Sequence, residues 1–119
     1  KTGKTLWLIK ELDLDKVTAI SGSGPAYYFL FIEYLESVAK ELGLTSLIAK
    51  QLVHQTALGS IELLLKEKRS AKQLKESIAI QGGTTEAAIK VFEKKSQFKK
   101  IIGQALKAAY NRSKKLGGN

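Results

Sequence analysis

Residues Ala26 to Ile32 form an unbroken apolar run, Ala-Tyr-Tyr-Phe-Leu-Phe-Ile, at the head of a helically patterned segment that continues to Leu42. Pro25 suits the first helical position, where its missing N–H is no loss, and Gly43 stands where such a helix would stop. A helix that is apolar on every side must be covered on every side, and a small set of helices in one chain offers too little cover. A second long helix, capped by Thr45 or Ser46 and running to about Lys68, repeats the problem. Its Leu47, Ile48, Leu52, Val53, Leu58, Ile61, Leu63, Leu64 and Leu65 spread over more than one face. The economical solution is association with a second copy.

A length of 119 residues gives room for one domain with a modest core. With 44% hydrophobic and 26% charged residues the chain is too apolar for a disordered one, and its single Pro favours long helices. Absence of Cys rules out disulfides, thiolate nucleophiles and cysteine metal sites, and one His makes a dedicated zinc site an unfavoured reading. No metal is expected. The longest apolar stretch, Pro25 to Ile32, is far below the roughly 20 residues that span a bilayer, so no membrane association is expected. The chain has no Met and begins Lys1-Thr2-Gly3, and it is read as part of a longer protein.

Thr5 to Ile9 reads as a short strand and Lys10 to Lys16 as a connector, which sets residues 1–16 apart from a helical domain over residues 17–119. A lone strand implies a sheet formed elsewhere, with Trp7 packed against it. Ser70 with Gln73 makes a capping box for a third, short helix through about Ala79. Thr84 or Thr85 can cap a fourth helix to about Lys95, with Glu86 in its first turn, and Ser96 can cap a fifth that ends at Gly117-Gly118. The fold class is therefore all-α, with about five helices, two of them long.

Two places join glycine to a helix start: Ser21-Gly22-Ser23-Gly24-Pro25 and Gly82-Gly83-Thr84-Thr85. Free N–H groups at a helix N-terminus, helped by hydroxyls and the positive end of the dipole, can hold a carboxylate or phosphate. The same residues also serve simply to turn and cap a helix. Neither turn matches a Rossmann or P-loop fingerprint, so no dinucleotide is expected to bind this chain by itself.

A net charge of +9 raises the question of nucleic acid. The surplus lies in Lys66, Lys68, Arg69, Lys72, Lys75, Lys94, Lys95, Lys99, Lys100, Lys107, Arg112, Lys114 and Lys115, without a recognition helix or aromatic platform, so solvated helix faces are expected and no specific nucleic acid. His54 is read as an ordinary helix residue. Tyr27, Tyr28, Phe29, Phe31 and Tyr34 are assigned to core or dimer packing.

Val17-Thr18-Ala19-Ile20 followed by Ser21 to Tyr27 resembles a signature of the pyrroline-5-carboxylate reductases, the last enzymes of proline synthesis. Gly43-Leu44, Ala49, Gln55-Thr56, Gly59, Leu74, Gly82-Gly83-Thr84-Thr85, Glu93 and Ala109 to Ser113 continue the resemblance in order and spacing from about Asp13 to Leu116. It departs where the family has Ser-Pro and this chain has Ile80-Gln81, and again at Ala71 and Lys115.

The resemblance implies an interlocked helical dimerisation domain that follows a Rossmann domain holding NADPH or NADH. It implies a homodimer, with higher assembly left open, in a cytoplasmic enzyme that reduces 1-pyrroline-5-carboxylate to L-proline. By the same resemblance Gly83, Thr84 and Thr85 would hold the substrate carboxylate, the Thr85 hydroxyl would face the ring nitrogen as the catalytic group, and Ser21, Gly22, Ser23, Gly24 and Pro25 would line the cofactor side. The competing reading is a helical dimerisation protein that keeps the scaffold without the chemistry.

Overall fold

A computed structural model describes residues 13–81 and 83–117, and all the regular structure among them is helical. The expected strand Thr5 to Ile9, with Trp7, lies outside the described residues. In chain order the elements are α1 (Leu14–Val17), a π-helical turn (Thr18–Gly22), α2 (Gly24–Glu41), α3 (Ser46–Lys66), α4 (Ala71–Gln81), α5 (Gly83–Glu93), a 3₁₀ turn (Lys94–Ser96) and α6 (Gln97–Leu116).

Local signals set most of the boundaries. The α2 helix ends in a Schellman motif: the Leu44 amide donates to the Ala39 carbonyl at 3.2 Å and the Gly43 amide to Lys40 at 2.9 Å. That geometry needs a left-handed residue after the helix, and Gly43 supplies it with φ of 107°. Thr45, not Ser46, caps α3, its hydroxyl accepting from the Ile48 amide at 3.2 Å. The capping box of α4 closes reciprocally. The Ser70 amide donates to the Gln73 side chain at 2.9 Å and the Gln73 amide to the Ser70 hydroxyl at 3.1 Å.

Four expectations need correction. Asp13 to Lys16 is no connector: Asp13 caps a helical turn, its carboxylate accepting from the Asp15 amide at 2.9 Å. Thr84 and Thr85 lie inside the first turn of α5, which starts at Gly83, and do not cap it. Ser96 makes no side-chain cap for α6; it and Lys95 are both left-handed, with φ of 56° and 54°, and the helical path is broken there. Finally, three helices are long, not two: α2 has 18 residues, α3 has 21 and α6 has 20.

The chain divides into two compact units, Lys1–Phe29 with Ser96–Asn119, and Leu30–Lys95. In the first, α6 packs on α1 and on the π-helical turn, with Ala19 buried. Two hydrogen bonds tie the ends of the sequence together: the Ser113 hydroxyl donates to the Asp15 carboxylate at 2.7 Å, and the Tyr110 hydroxyl to Asp13 at 3.2 Å. The Lys114 ammonium lies over the Tyr110 ring, 5.1 Å from its centroid.

In the second unit α4 and α5 form a helical hairpin around buried Leu74, closed by an ion pair of 2.6 Å between Lys75 and Glu93. Phe31 of α2 meets Phe92 of α5 edge to face, with ring centroids 6.4 Å apart. His54 of α3 and Glu36 of α2 are hydrogen-bonded at 2.6 Å.

Ala19, Ala49 and Leu74 are the buried hydrophobic residues among those described, and none of the larger side chains is fully enclosed. Helical geometry shows why this matters for α3. Its Ala49, Val53, Ala57 and Leu64 share one face and are its more covered residues. Leu47, Leu58 and Leu65 form a separate line about a third of a turn away, and all three are exposed. Tyr28, Phe29 and Tyr34 of α2 are exposed as well. Soluble monomers rarely leave large apolar patches in water. The excess of apolar faces legible in the sequence is thus present in the fold, left exposed among the described residues.

Candidate functional site

The first candidate group occupies the opening turn of α5 in the second unit. Gly83 and Thr84 are exposed and Thr85 is half-buried. A Cβ placed on Gly83 would meet nothing within 4 Å, so the backbone there is open to a ligand. As first-turn residues, all three carry N–H groups that have no acceptor within the helix, at the positive end of an 11-residue helix. Gly82 lies outside the described residues.

Beside this turn an open groove of about 490 Å³ is lined by Glu76, Ala79, Ile80 and Glu86. Ile80 is 85% exposed, an unusual position for so apolar a side chain and one that no packing within the protomer accounts for. Glu86, in the first turn, adds a carboxylate where the helix dipole favours one.

The second group, Ser21 to Pro25, lies in the first unit and runs from the end of the π-helical turn into α2. The Ser21 hydroxyl donates to the Val17 carbonyl at 3.0 Å and so is engaged with the backbone. Gly22 and Pro25 are exposed, Ser23 is half-buried and Gly24 is buried. The Ser23 amide donates five residues back, to the Thr18 carbonyl at 2.9 Å. Sequence reading identified this stretch as glycine-rich and turn-like but missed the π register, since no residue type announces an i to i−5 hydrogen bond. π-helical turns are rare and concentrate at functional sites.

Packing alone does not account for Tyr27: its hydroxyl donates to the Ala19 carbonyl at 2.6 Å, a contact that its place in an apolar run does not suggest. His54 proves to be half-exposed and paired with Glu36. The basic residues behave as expected of solvated faces: those from Lys66 to Lys115 named above are exposed, apart from half-buried Lys75. The Glu93 carboxylate beside Lys75 holds its ammonium above the usual lysine range, aided by the charge of Glu76. Among the described residues no group of acidic and histidine side chains is arranged to hold a metal ion, and no helix is long and apolar enough to cross a membrane.

Comparison with known proteins gives one answer. Over 114 residues the chain is 42% identical to the pyrroline-5-carboxylate reductase of Pseudomonas aeruginosa, covering 96% of this chain and 41% of that protein. The corresponding reductase of Synechocystis is 43% identical over 104 residues, 87% of this chain and 39% of the relative. The chain thus spans about two fifths of the length of the curated relatives it matches. Among solved structures, Plasmodium falciparum pyrroline carboxylate reductase with NADP bound superposes with a TM-score of 0.82 at 43% identity, over 88% of this chain and 41% of that one. The pyrroline-5-carboxylate reductase of Coxiella burnetii gives a TM-score of 0.80 at 45% identity, over 86% and 37%. Residues 11–116 match the family described as pyrroline-5-carboxylate reductase dimerisation. With helices, glycine turns and uncovered apolar faces all in agreement, this chain belongs to the pyrroline-5-carboxylate reductase dimerisation family.

Proposed function

We propose that the chain serves as the dimerisation and substrate-binding part of a cytoplasmic reductase that converts 1-pyrroline-5-carboxylate to L-proline with NADPH or NADH. The observation that carries this reading is the opening turn of α5, where an unobstructed Gly83 precedes Thr84 and Thr85 at a helix N-terminus. In this reading the free amides of that turn hold the substrate carboxylate and the Thr85 hydroxyl donates a hydrogen bond to the ring nitrogen. Fixing the carboxylate and the nitrogen orients the imine carbon, which is the larger part of what such a reduction requires of the protein.

Ser21 to Pro25 line the cofactor side. Gly22 is exposed, and the ordinary 3.5 Å contact that a Cβ there would make with Thr18 is compatible with close approach of a nicotinamide cofactor. When bound, that cofactor supplies the hydride. A second copy of the chain covers the leucine line of α3 and the exposed aromatic residues of α2, giving a homodimer.

Ile80 is the test of the substrate turn. Ile80→Ser in the intact protein restores a hydroxyl beside a bound carboxylate, and a hydrogen bond to a charged group should lower the Michaelis constant for pyrroline-5-carboxylate by about tenfold. An unchanged constant would remove Ile80 from the substrate's surroundings. The Ile80-Gln81 departure also favours the second reading, a dimerisation protein without chemistry. Oxidation of NADPH or NADH by the intact protein in the presence of pyrroline-5-carboxylate would rule that reading out.

A further inference from the structure

We infer that Tyr27 is a positioning residue whose hydroxyl locks the π-helical turn Thr18–Gly22 and thereby sets the placement of Ser21 to Pro25. The inference rests on the reading that those residues line the cofactor side.

The hydrogen bonds make the case. In an α-helix the Ser23 amide would donate four residues back, to Ala19. It donates instead to Thr18, at 2.9 Å, so the shift of register takes from Ala19 its ordinary donor. Ala19 is 3% exposed and has no ready access to water in exchange. A buried carbonyl without a donor opposes any conformation that creates it. The Tyr27 hydroxyl reaches this same carbonyl, at 2.6 Å, from eight residues further along the chain.

The placement of Tyr27 is as informative as its bond. It sits in the first turn of α2, two residues after Pro25. One hydrogen bond therefore clamps the segment at both ends, from Ala19 before the serine-glycine run to Tyr27 after it. The Ser21 hydroxyl, bonded to Val17 at 3.0 Å, secures the middle from within. Within the helix the ring of Tyr27 is half-buried, whereas its neighbours Tyr28 and Phe29 are exposed. Tyr27 is thus separated from the outward-facing aromatic residues of α2 by orientation and by its bond.

Tyr27→Phe removes the hydroxyl and keeps the ring, so packing is preserved. In the intact protein we expect amide hydrogen exchange at Ser23 to rise at least tenfold relative to amides in the middle of α3, such as Leu58. We also expect cofactor affinity, measured by direct titration, to weaken three- to tenfold, with the Michaelis constant for pyrroline-5-carboxylate unchanged. Unaltered exchange at Ser23, or an equal rise at every amide, would overturn the inference. The first outcome would mean the turn does not need the hydroxyl, and the second that only overall stability was affected.

Ser23→Leu separates this inference from the reading beneath it. If bulk at Ser23 leaves cofactor affinity intact, the cofactor-side assignment fails, while exchange in Tyr27→Phe still judges the clamp. If Ser23→Leu weakens cofactor binding and Tyr27→Phe does not, the positioning role fails alone. Should Tyr27→Phe not accumulate, NMR of the unaltered protein decides: a slowly exchanging Tyr27 hydroxyl proton supports the clamp, and rapid exchange with water overturns it.

Discussion

Leu58 offers a quantitative test of the proposed dimer. It lies midway along α3 on the line shared with Leu47 and Leu65, and in the protomer it is 53% exposed. Complete burial of a leucine side chain is worth about 1.5–3 kcal/mol, so covering the exposed half contributes about 1–1.5 kcal/mol per protomer. A two-fold interface uses each residue twice, which raises the contribution to about 2–3 kcal/mol per dimer. Leu58→Ala should therefore weaken dimerisation by up to roughly 30- to 150-fold. Leu58→Asp should weaken it further, because a carboxylate would have to be desolvated without a partner. Sedimentation equilibrium over a dilution series measures the constant, and circular dichroism checks that α3 stays helical. Lys72→Asp, a charge change on an exposed face, serves as control. The reasoning fails if folded Leu58→Asp dimerises as tightly as the unaltered protein, for then the leucine line is not what the second copy covers.

Three further outcomes concern the protomer. Gly43→Ala forces a side chain into a backbone with φ of 107°, and thermal unfolding should register a loss of about 1–2 kcal/mol, or roughly 5–10 °C. Ser70→Ala opens the capping box of α4 and should cost about 1 kcal/mol in urea denaturation, with an unchanged slope. The Lys75–Glu93 pair should lose its effect only at high pH. Because its folded pKa is raised, Lys75 contributes fully below the unfolded lysine value of about 10.4, and the contribution disappears as pH climbs through the folded value. The small stability difference between the unaltered protein and Glu93→Gln should hold from about pH 6 to 9 and vanish only as pH passes about 10.4 and climbs through the folded lysine value; a difference that grows with pH would contradict the assignment.

The helices were legible where their signals are local. Thr45, Gly43 and the Ser70/Gln73 pair each act within one helical turn, so short stretches of sequence suffice to place them. Lys95 and Ser96 misled because serine before a helix is the usual cap, whereas here two consecutive left-handed residues break the helical path. Likewise Thr84 and Thr85 have the composition of caps, but α5 begins one residue ahead of them. Of the site, the residue types were visible and the hydrogen-bond register was not.

By itself, the sequence determined that this protein is helical and that α2 and α3 carry more apolar surface than one chain can cover, because periodicity and residue type decide which faces avoid water. Only the tertiary structure decided that Asp15 is held by Ser113 and that Tyr27 supplies the donor at Ala19. The first joins residues 98 apart in sequence, a pairing fixed by the path of the whole chain. The second depends on a one-residue change of hydrogen-bond register, which becomes visible only once the carbonyl and the hydroxyl occupy positions in space.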